Sequence, residues 1–434
     1  MWDTLRSAWR VPEVRKKLLY TFFMLLVYRL VSVVPVPGIN ASVVQEVSQQ
    51  FDALNLVNMM TGNAFSQMTI MAMGITPYIN ASIIIQLLTF AIPALERLAK
   101  EGGEEGKEKI NRITRYTTIV LAVIQSIGIV SGLQSASMGI AQQQKVLMPE
   151  YNNFFGKLSI GVAMAGGTAL AMWIGERVTA NGIGNGISML IFAGIISNLF
   201  NGILTAFLTV LGVSQGSTTV VQFVVLLLFT LVLVTTVTFI DLGERRIPVQ
   251  YAKRVVGRKM YGGQSTHIPL KVLSVGVLPL IFAHSFMAMP GTIIAIIGTN
   301  SAVYNWWQNN MNQTSWLYLT VTSLLIVAFT YFYSSISFNP QEISKNINQQ
   351  GGTIPGIRSG KNTADFLQRI TTRLTLFAGI FLAILATLPT LLYVWLNVQI
   401  PYAASSILIA VSVSMETVRQ LEAQMVMRNY KGFL

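Results

Sequence analysis

Residues 74–93 read GITPYINASIIIQLLTFAIP, without a single charge. About 20 apolar residues are enough to cross the hydrocarbon core of a bilayer as a helix. The run therefore has the length of a membrane span. Yet Asn80, Ser82 and Gln86 lie within it and Pro77 sits near its start. Amides and hydroxyls need partners in hydrocarbon, so a helix facing only lipid would have little use for them. One face is expected to meet other helices, and another to line a passage. Ile79 and Ile83 are four residues apart and stack on one face.

Similar runs recur at residues 18–36, 116–134, 155–174, 184–206, 220–240, 270–290, 316–337, 374–394 and 402–418, which with 74–93 makes ten spans. The composition agrees: 52% of residues are hydrophobic and 11% charged, against roughly 25% charged in soluble domains. The apolar runs are unbroken rather than alternating, which excludes a β-barrel. The expected fold class is an all-α polytopic membrane protein. Of the 30 Lys and Arg, all but Arg29, Lys145 and Lys157 fall on the side that holds both termini. The positive-inside rule places that side in the cytoplasm. The net charge of +13 thus belongs to loops beside anionic lipid, not to a nucleic-acid groove.

Ten spans divide five and five around residues 212–219, giving halves at 18–213 and 214–420 with a cytosolic tail at 421–434. Five is odd, so structurally repeated halves must be inverted in the membrane, a plan used by proteins that move cargo between their halves. Residues 1–17 lack the apolar core of a signal peptide. Trp2, Leu5 and Trp9 share one helical face and Arg6 and Arg10 another, the pattern of a helix lying on the membrane surface. Arg29 is charged well inside the first span, so its guanidinium either snorkels to the interface or pairs with protein.

Residues 55–73 have the length of a span but carry Asn55, Asn58, Thr61, Gly62, Asn63, Ser66, Gln67 and Thr69, too polar a set for lipid. Five methionines are interspersed: Met59, Met60, Met68, Met71 and Met73. The pattern fits a half-inserted segment buried in protein, or a loop packed on the outer rim. Residues 96–115 read as a charged cytosolic loop. Two larger loops, 242–269 and 338–370, have no evident hydrophobic core and are strongly basic. Loops of that length are usually functional or disordered. They are either solvated basic loops or docking surfaces for a cytosolic partner.

Catalytic constellations are missing from the sequence. GGEEGKE at Gly102 lacks the glycine spacing of a phosphate loop, and no Ser or Thr follows Lys107. NGIGNG at Asn181 does not follow a strand; at the head of a span its glycines permit close helix packing. There is no cysteine, and His267 and His284 lie in environments too unlike to form a metal site. No cofactor is expected. A solute transporter is the alternative to a channel, but it wants an ionisable site at mid-membrane, and His284 is the sole candidate.

The motifs resemble those of the SecY family of protein-translocation channels, over nearly the whole chain. GITPYINASIIIQLL at Gly74 is similar to the family's second-span signature, and MWIGERVTANGIGNGIS at Met172 to its fourth-to-fifth-span junction. RRIPVQYAKR at Arg245 and STHIPLK at Ser265 resemble its longest cytosolic loop. FNP at Phe338 with GGTIPGIRSG at Gly351 resembles the next one; Ser359 stands where the family has a proline. The resemblance implies an hourglass pore between two inverted halves, narrowed by Ile79, Ile83, Ile187, Ile191, Ile281 and Ile409. It implies that residues 55–73 form a plug helix, with Met59, Met60, Thr61, Gly62, Asn63, Ala64, Phe65 and Ser66 closing the pore from outside. Asn80, Gln125 and Ser285 would meet at a lateral gate. Arg245, Arg246, Lys253, Arg254, Arg258 and Arg358 would dock the SecA motor ATPase or the ribosome. SecE and SecG would be small membrane partners, and signal sequences and unfolded preproteins the cargo, at the inner (plasma) membrane.

Overall fold

The computed structural model describes residues 9–50, 61–140, 146–212, 219–251, 254–256, 259–261, 265–284, 286–287, 306–307, 310–312, 315–396 and 404–431. In chain order its elements are α1 (Pro12–Val31), α2 (Ala41–Gln50), α3 (Thr76–Ala91), α4 (Pro93–Glu101), α5 (Gly103–Ile140), α6 (Phe154–Asn181), α7 (Gly186–Val210) and α8 (Val220–Asp241). There follow β1 (Glu244–Tyr251), β2 (Arg254–Val256), β3 (Lys259–Tyr261), β4 (Ser265–Lys271), α9 (Trp316–Ser337), α10 (Pro340–Gln349), β5 (Gly352–Thr353), α11 (Lys361–Leu396) and α12 (Ala404–Lys431). Among the described residues six helices are long and apolar enough to cross a membrane, and a seventh if α3 and α4 are one broken span. The chain is an all-α polytopic membrane protein, with a small sheet in its loops. It divides into two compact units: one of Met1–Gly216, Pro290–Asn309 and Val413–Leu434, the other of Ser217–Met289 and Asn310–Ser412.

In the first unit α3 ends at Ile92, which adopts extended angles (φ −108°, ψ 113°) ahead of Pro93. Proline disfavours a helical residue before it and cannot donate to the preceding turn. The chain then bends by 105° into α4. The stretch 96–115, expected as a loop, is helical. Lys107 pairs with Glu104 at 3.0 Å, Lys109 with Glu105 at 2.8 Å and Arg112 with Glu108 at 3.7 Å. Charges spaced three and four apart support a solvated helix turn by turn, so α5 runs on from this charged lead-in into the apolar run over 38 residues. Helix α6 packs against α1, α5 and α7. Its glycines allow this: a Cβ on Gly175 or Gly186 would overlap atoms of the opposite helix. Of the N-terminal surface helix, Trp2, Leu5 and Arg6 lie outside the described residues, and Trp9 is exposed.

In the second unit the two long loops fold together, which corrects the expectation that they lack a core. Strand β1 is the middle of an antiparallel sheet in the order β4-β1-β5, with Arg246 opposite Pro269 and Tyr251 opposite Gly352. Alternation along β1 turns Ile247 and Val249 inward. They pack with Ile347 of α10, Ile354, and Leu367 of α11. Single-sequence reading missed this core because it is shared between segments about a hundred residues apart. The span expected from residue 270 starts later: Leu270 pairs with Arg245 in the sheet, residues 272–277 are turns, and the helix begins at residue 278. Leu367 is fully buried, so Leu367→Ala is expected to cost the loop module about 2–5 kcal/mol. Limited proteolysis should then cut residues 242–269 and 338–370 faster while the spans stay whole. Unchanged cleavage would show that no shared core holds the loops.

Candidate functional site

The segment that begins at Thr61 carries the candidate site. Residues 62–75 run as turns, interrupted by an isolated bridge from Thr69 to Pro35. The plug was expected to be helical; its described part is not. Gly62, Asn63, Met68 and Gly74 all take positive φ (68°, 69°, 43° and 50°), a region that interrupts a right-handed helix. Met59 and Met60 lie outside the described residues.

These turns satisfy their own backbone. Met68 N–H donates to the Phe65 carbonyl at 2.9 Å, Thr69 N–H to Ala64 at 3.1 Å, and Gly74 N–H to Met71 at 2.8 Å. Two further bonds tie the segment to the chain beyond α1: Val36 N–H to the Met68 carbonyl, and Ile70 N–H to Val34, each 2.9 Å. Paired backbone is the condition for irregular structure at membrane depth. The apolar side chains do the seating. Phe65, Met68 and Met73 join Val36, Val43, Val44, Val130, Leu133, Ile160 and Met164 in one core. Met71 and Ala64 are buried too, whereas Ser66 and Asn63 are half-exposed. The segment is packed into the protein rather than laid on its surface.

On its inward side Thr61 borders a cavity of ≈ 10 Å³ lined also by Tyr28, Ile75, Thr76, Ile79 and Ile191. That is about the room one water needs. Two of the six expected ring isoleucines, from α3 and α7, thus line one cavity beside Thr61. Ile83, one turn beyond Ile79, is half-buried; Ile187 lies against Gly175 of α6. In the other unit Ile281 is half-buried and Ile409 buried. A wall of branched alkyl groups offers no fixed ion ligand and can exclude ions by dewetting.

Two residues hold the segment: Arg29, whose partners the sequence left open, and Gly167, which sequence reasoning passed over. Arg29, near the end of α1, donates from Nη2 to the Ala193 carbonyl of α7 at 2.9 Å and from Nη1 to the Gly62 carbonyl at 3.4 Å. It pairs with protein rather than snorkelling. Gly167 of α6 faces Ile70 so closely that a Cβ there would overlap the Ile70 carbonyl. Its only signal was the small-residue run Ala165-Gly166-Gly167.

Of the expected gate residues, Asn80 on α3 and Gln125 on α5 are each half-buried on helices that pack together. Among the described residues no hydrogen bond joins them. Beside Gln125, Ser126 Oγ donates to the Gly161 carbonyl of α6 at 3.1 Å. Ser285 lies outside the described residues. Of the docking set, Arg245, Arg246 and Arg358 are exposed. Arg246 Nε donates to Glu244 at 2.7 Å, an exposed pair of little energetic weight. Arg254 falls in β2; Lys253 and Arg258 lie outside the described residues.

Known proteins share this fold. The SecY family model matches residues 69–418. The protein translocase subunit SecY of Streptomyces scabiei is 41% identical over 442 residues, covering 100% of both chains. Two solved structures each cover 97% of this chain and are covered to 97% by it. One is a SecY protein whose plug domain stabilises the closed state of the translocation channel and maintains a membrane seal, with TM-score 0.63 at 18% identity. The other is Sec61 in the canine ribosome–channel complex from the endoplasmic reticulum, with TM-score 0.62 at 17% identity.

Proposed function

The chain belongs to the SecY family, and we propose that it is the pore subunit of a translocase. It is a protein-conducting channel that passes unfolded secretory polypeptides across the membrane and releases transmembrane segments sideways into lipid. The observation that carries this reading is the seating of residues 61–75 against the cavity of Ile79 and Ile191. A compact, internally bonded segment closes the path, and it is held mainly by apolar packing. A hydrophobic seal of this kind yields to polypeptide while denying ions a binding site. No channel relative supports solute transport, and that alternative is set aside.

Ile83, Ile187, Ile281 and Ile409 complete the constriction with Ile79 and Ile191, between inverted halves at 18–213 and 214–420. Residues 59–66 belong to the plug that closes the pore from outside. Asn80, Gln125 and Ser285 set the resistance of the lateral gate. The chain sits in the plasma membrane with both termini in the cytoplasm, by the placement of its Lys and Arg. SecE and SecG are its membrane partners, and energy comes from SecA or the ribosome, not from the chain itself. The co-folded loops bring Arg245, Arg246 and Arg358 onto one module, and with Lys253, Arg254 and Arg258 they are the docking set, in which arginine forks meet carboxylate or phosphate.

Reconstituted with its two small partners, the channel should carry a preprotein into vesicles when SecA and ATP are added. Arg358→Glu reverses an exposed charge on the loop module. It should lower that transport by about tenfold or more, equivalent to one charge-assisted contact, while the complex still assembles. Wild-type transport by the variant would refute the docking role; an inert wild-type complex would refute the channel reading.

A further inference from the structure

Arg29 lies about 18 Å along its helix from Lys17, the last cytosolic charge, at 1.5 Å per residue. A guanidinium at that depth is costly unless its donors are met. It is half-buried, and its partners are carbonyls on two different elements: Ala193 on α7 at 2.9 Å, and Gly62 in the plug segment at 3.4 Å. Gly62 is shaped for the contact. Its φ of +68° turns the carbonyl toward α1, and a Cβ there would overlap the guanidinium itself. Tyr28 and Thr61, the chain neighbours of Arg29 and Gly62, line the same cavity as Ile79 and Ile191. Charge, glycine and ring thus converge on one point.

We propose that Arg29 is the positioning residue that latches the plug, tethering Gly62 to α7 beside the pore isoleucines and so setting how strong a signal sequence must be to open the channel. This rests on reading residues 61–75 as the plug. The apolar core around Phe65 holds the segment in bulk, but packing alone is non-directional. The two carbonyl bonds give a defined register. When the plug leaves, Arg29 loses Gly62 and keeps Ala193. The latch therefore acts on the equilibrium between seated and displaced plug rather than on the fold of the unit.

Hydrogen bonds to a charged group are the stronger class, and losing one corresponds to roughly tenfold in the seated-to-displaced ratio. The test compares Arg29→Met, Arg29→Lys, Gly62→Ala and a deletion of residues 61–66, each purified with the partner subunits. Two readouts are taken: ion leak across planar bilayers, and export of a reporter with a weakened signal sequence. Arg29→Met and Gly62→Ala are expected to raise both by about tenfold, with a strong-signal preprotein exported normally. Arg29→Lys, which keeps one charged donor, should recover part of the wild-type behaviour. If Arg29→Met neither leaks nor admits weak signals while the deletion leaks, the latch is wrong and the plug stands. If the deletion does not leak either, the plug reading itself falls. If Arg29→Met also fails to export the strong-signal preprotein, with Arg29→Lys no better, Arg29 is structural and the proposal is overturned.

Discussion

Replacing Phe65 by alanine is expected to turn the resting channel into a leaking one. Phe65 is completely buried and is the largest side chain the plug segment contributes to the core with Val43, Leu133 and Met164. Truncating a buried phenylalanine costs about 3–5 kcal/mol, through lost transfer energy and the cavity left behind. The loss falls on the seated state, because a displaced plug no longer makes those contacts. A change of that size lowers the seated-to-displaced ratio by more than roughly a hundredfold. Methionine packing around the site will recover part of it, since Met68 and Met73 can flex into the gap. Single-channel recording on the reconstituted complex reads the outcome as open probability without substrate. A resting conductance equal to that of the wild type would mean that this core does not hold the closure.

The second large effect is expected from Gly167→Val. The Gly167 position on α6 has no room for a Cβ because the Ile70 carbonyl occupies it. A helix packed against α1, α5 and α7 cannot retreat, so the turn must. Ile70 is bonded to Val34 and its neighbour Thr69 bridges to Pro35, and displacement of one residue therefore loosens the whole tie to the chain just beyond α1. Overpacking of this kind typically costs about 1–3 kcal/mol, and steric overlap with backbone puts this site at the upper end. The control is the adjacent Gly166→Ala, where an added Cβ meets nothing within 4 Å. Gly167→Val should leak and Gly166→Ala should not. Equal behaviour of the two would remove the close approach to Ile70 as the cause.

Much of the architecture was readable from the chain because the deciding physics is local. A run such as residues 220–240 crosses a membrane on its own transfer energy, whatever surrounds it, and it forms α8 between Val220 and Asp241. The family signatures likewise marked Ile79 and Ile191, which share a cavity. Boundaries were less legible. The charged lead-in to α5 looked like a loop by polarity alone, and its helix is sustained by ion pairs at spacings of three and four. The excess of polar groups in residues 55–73 pointed to a segment buried in protein, but the turns at residues 62–75 follow from four positive-φ positions that composition does not announce.

By itself, the sequence determined that this is a helical membrane protein, which stretches are apolar enough to span, and which loops carry the positive charge. Those properties sum residue by residue. Only the tertiary structure decided what Arg29 binds, that Gly167 touches the plug, and that two basic loops share one core. Ala193 is 164 positions from Arg29, and Gln250 meets Thr353 across a strand pair. Such contacts arise when distant segments compete for the same buried space, and no local periodicity encodes that competition.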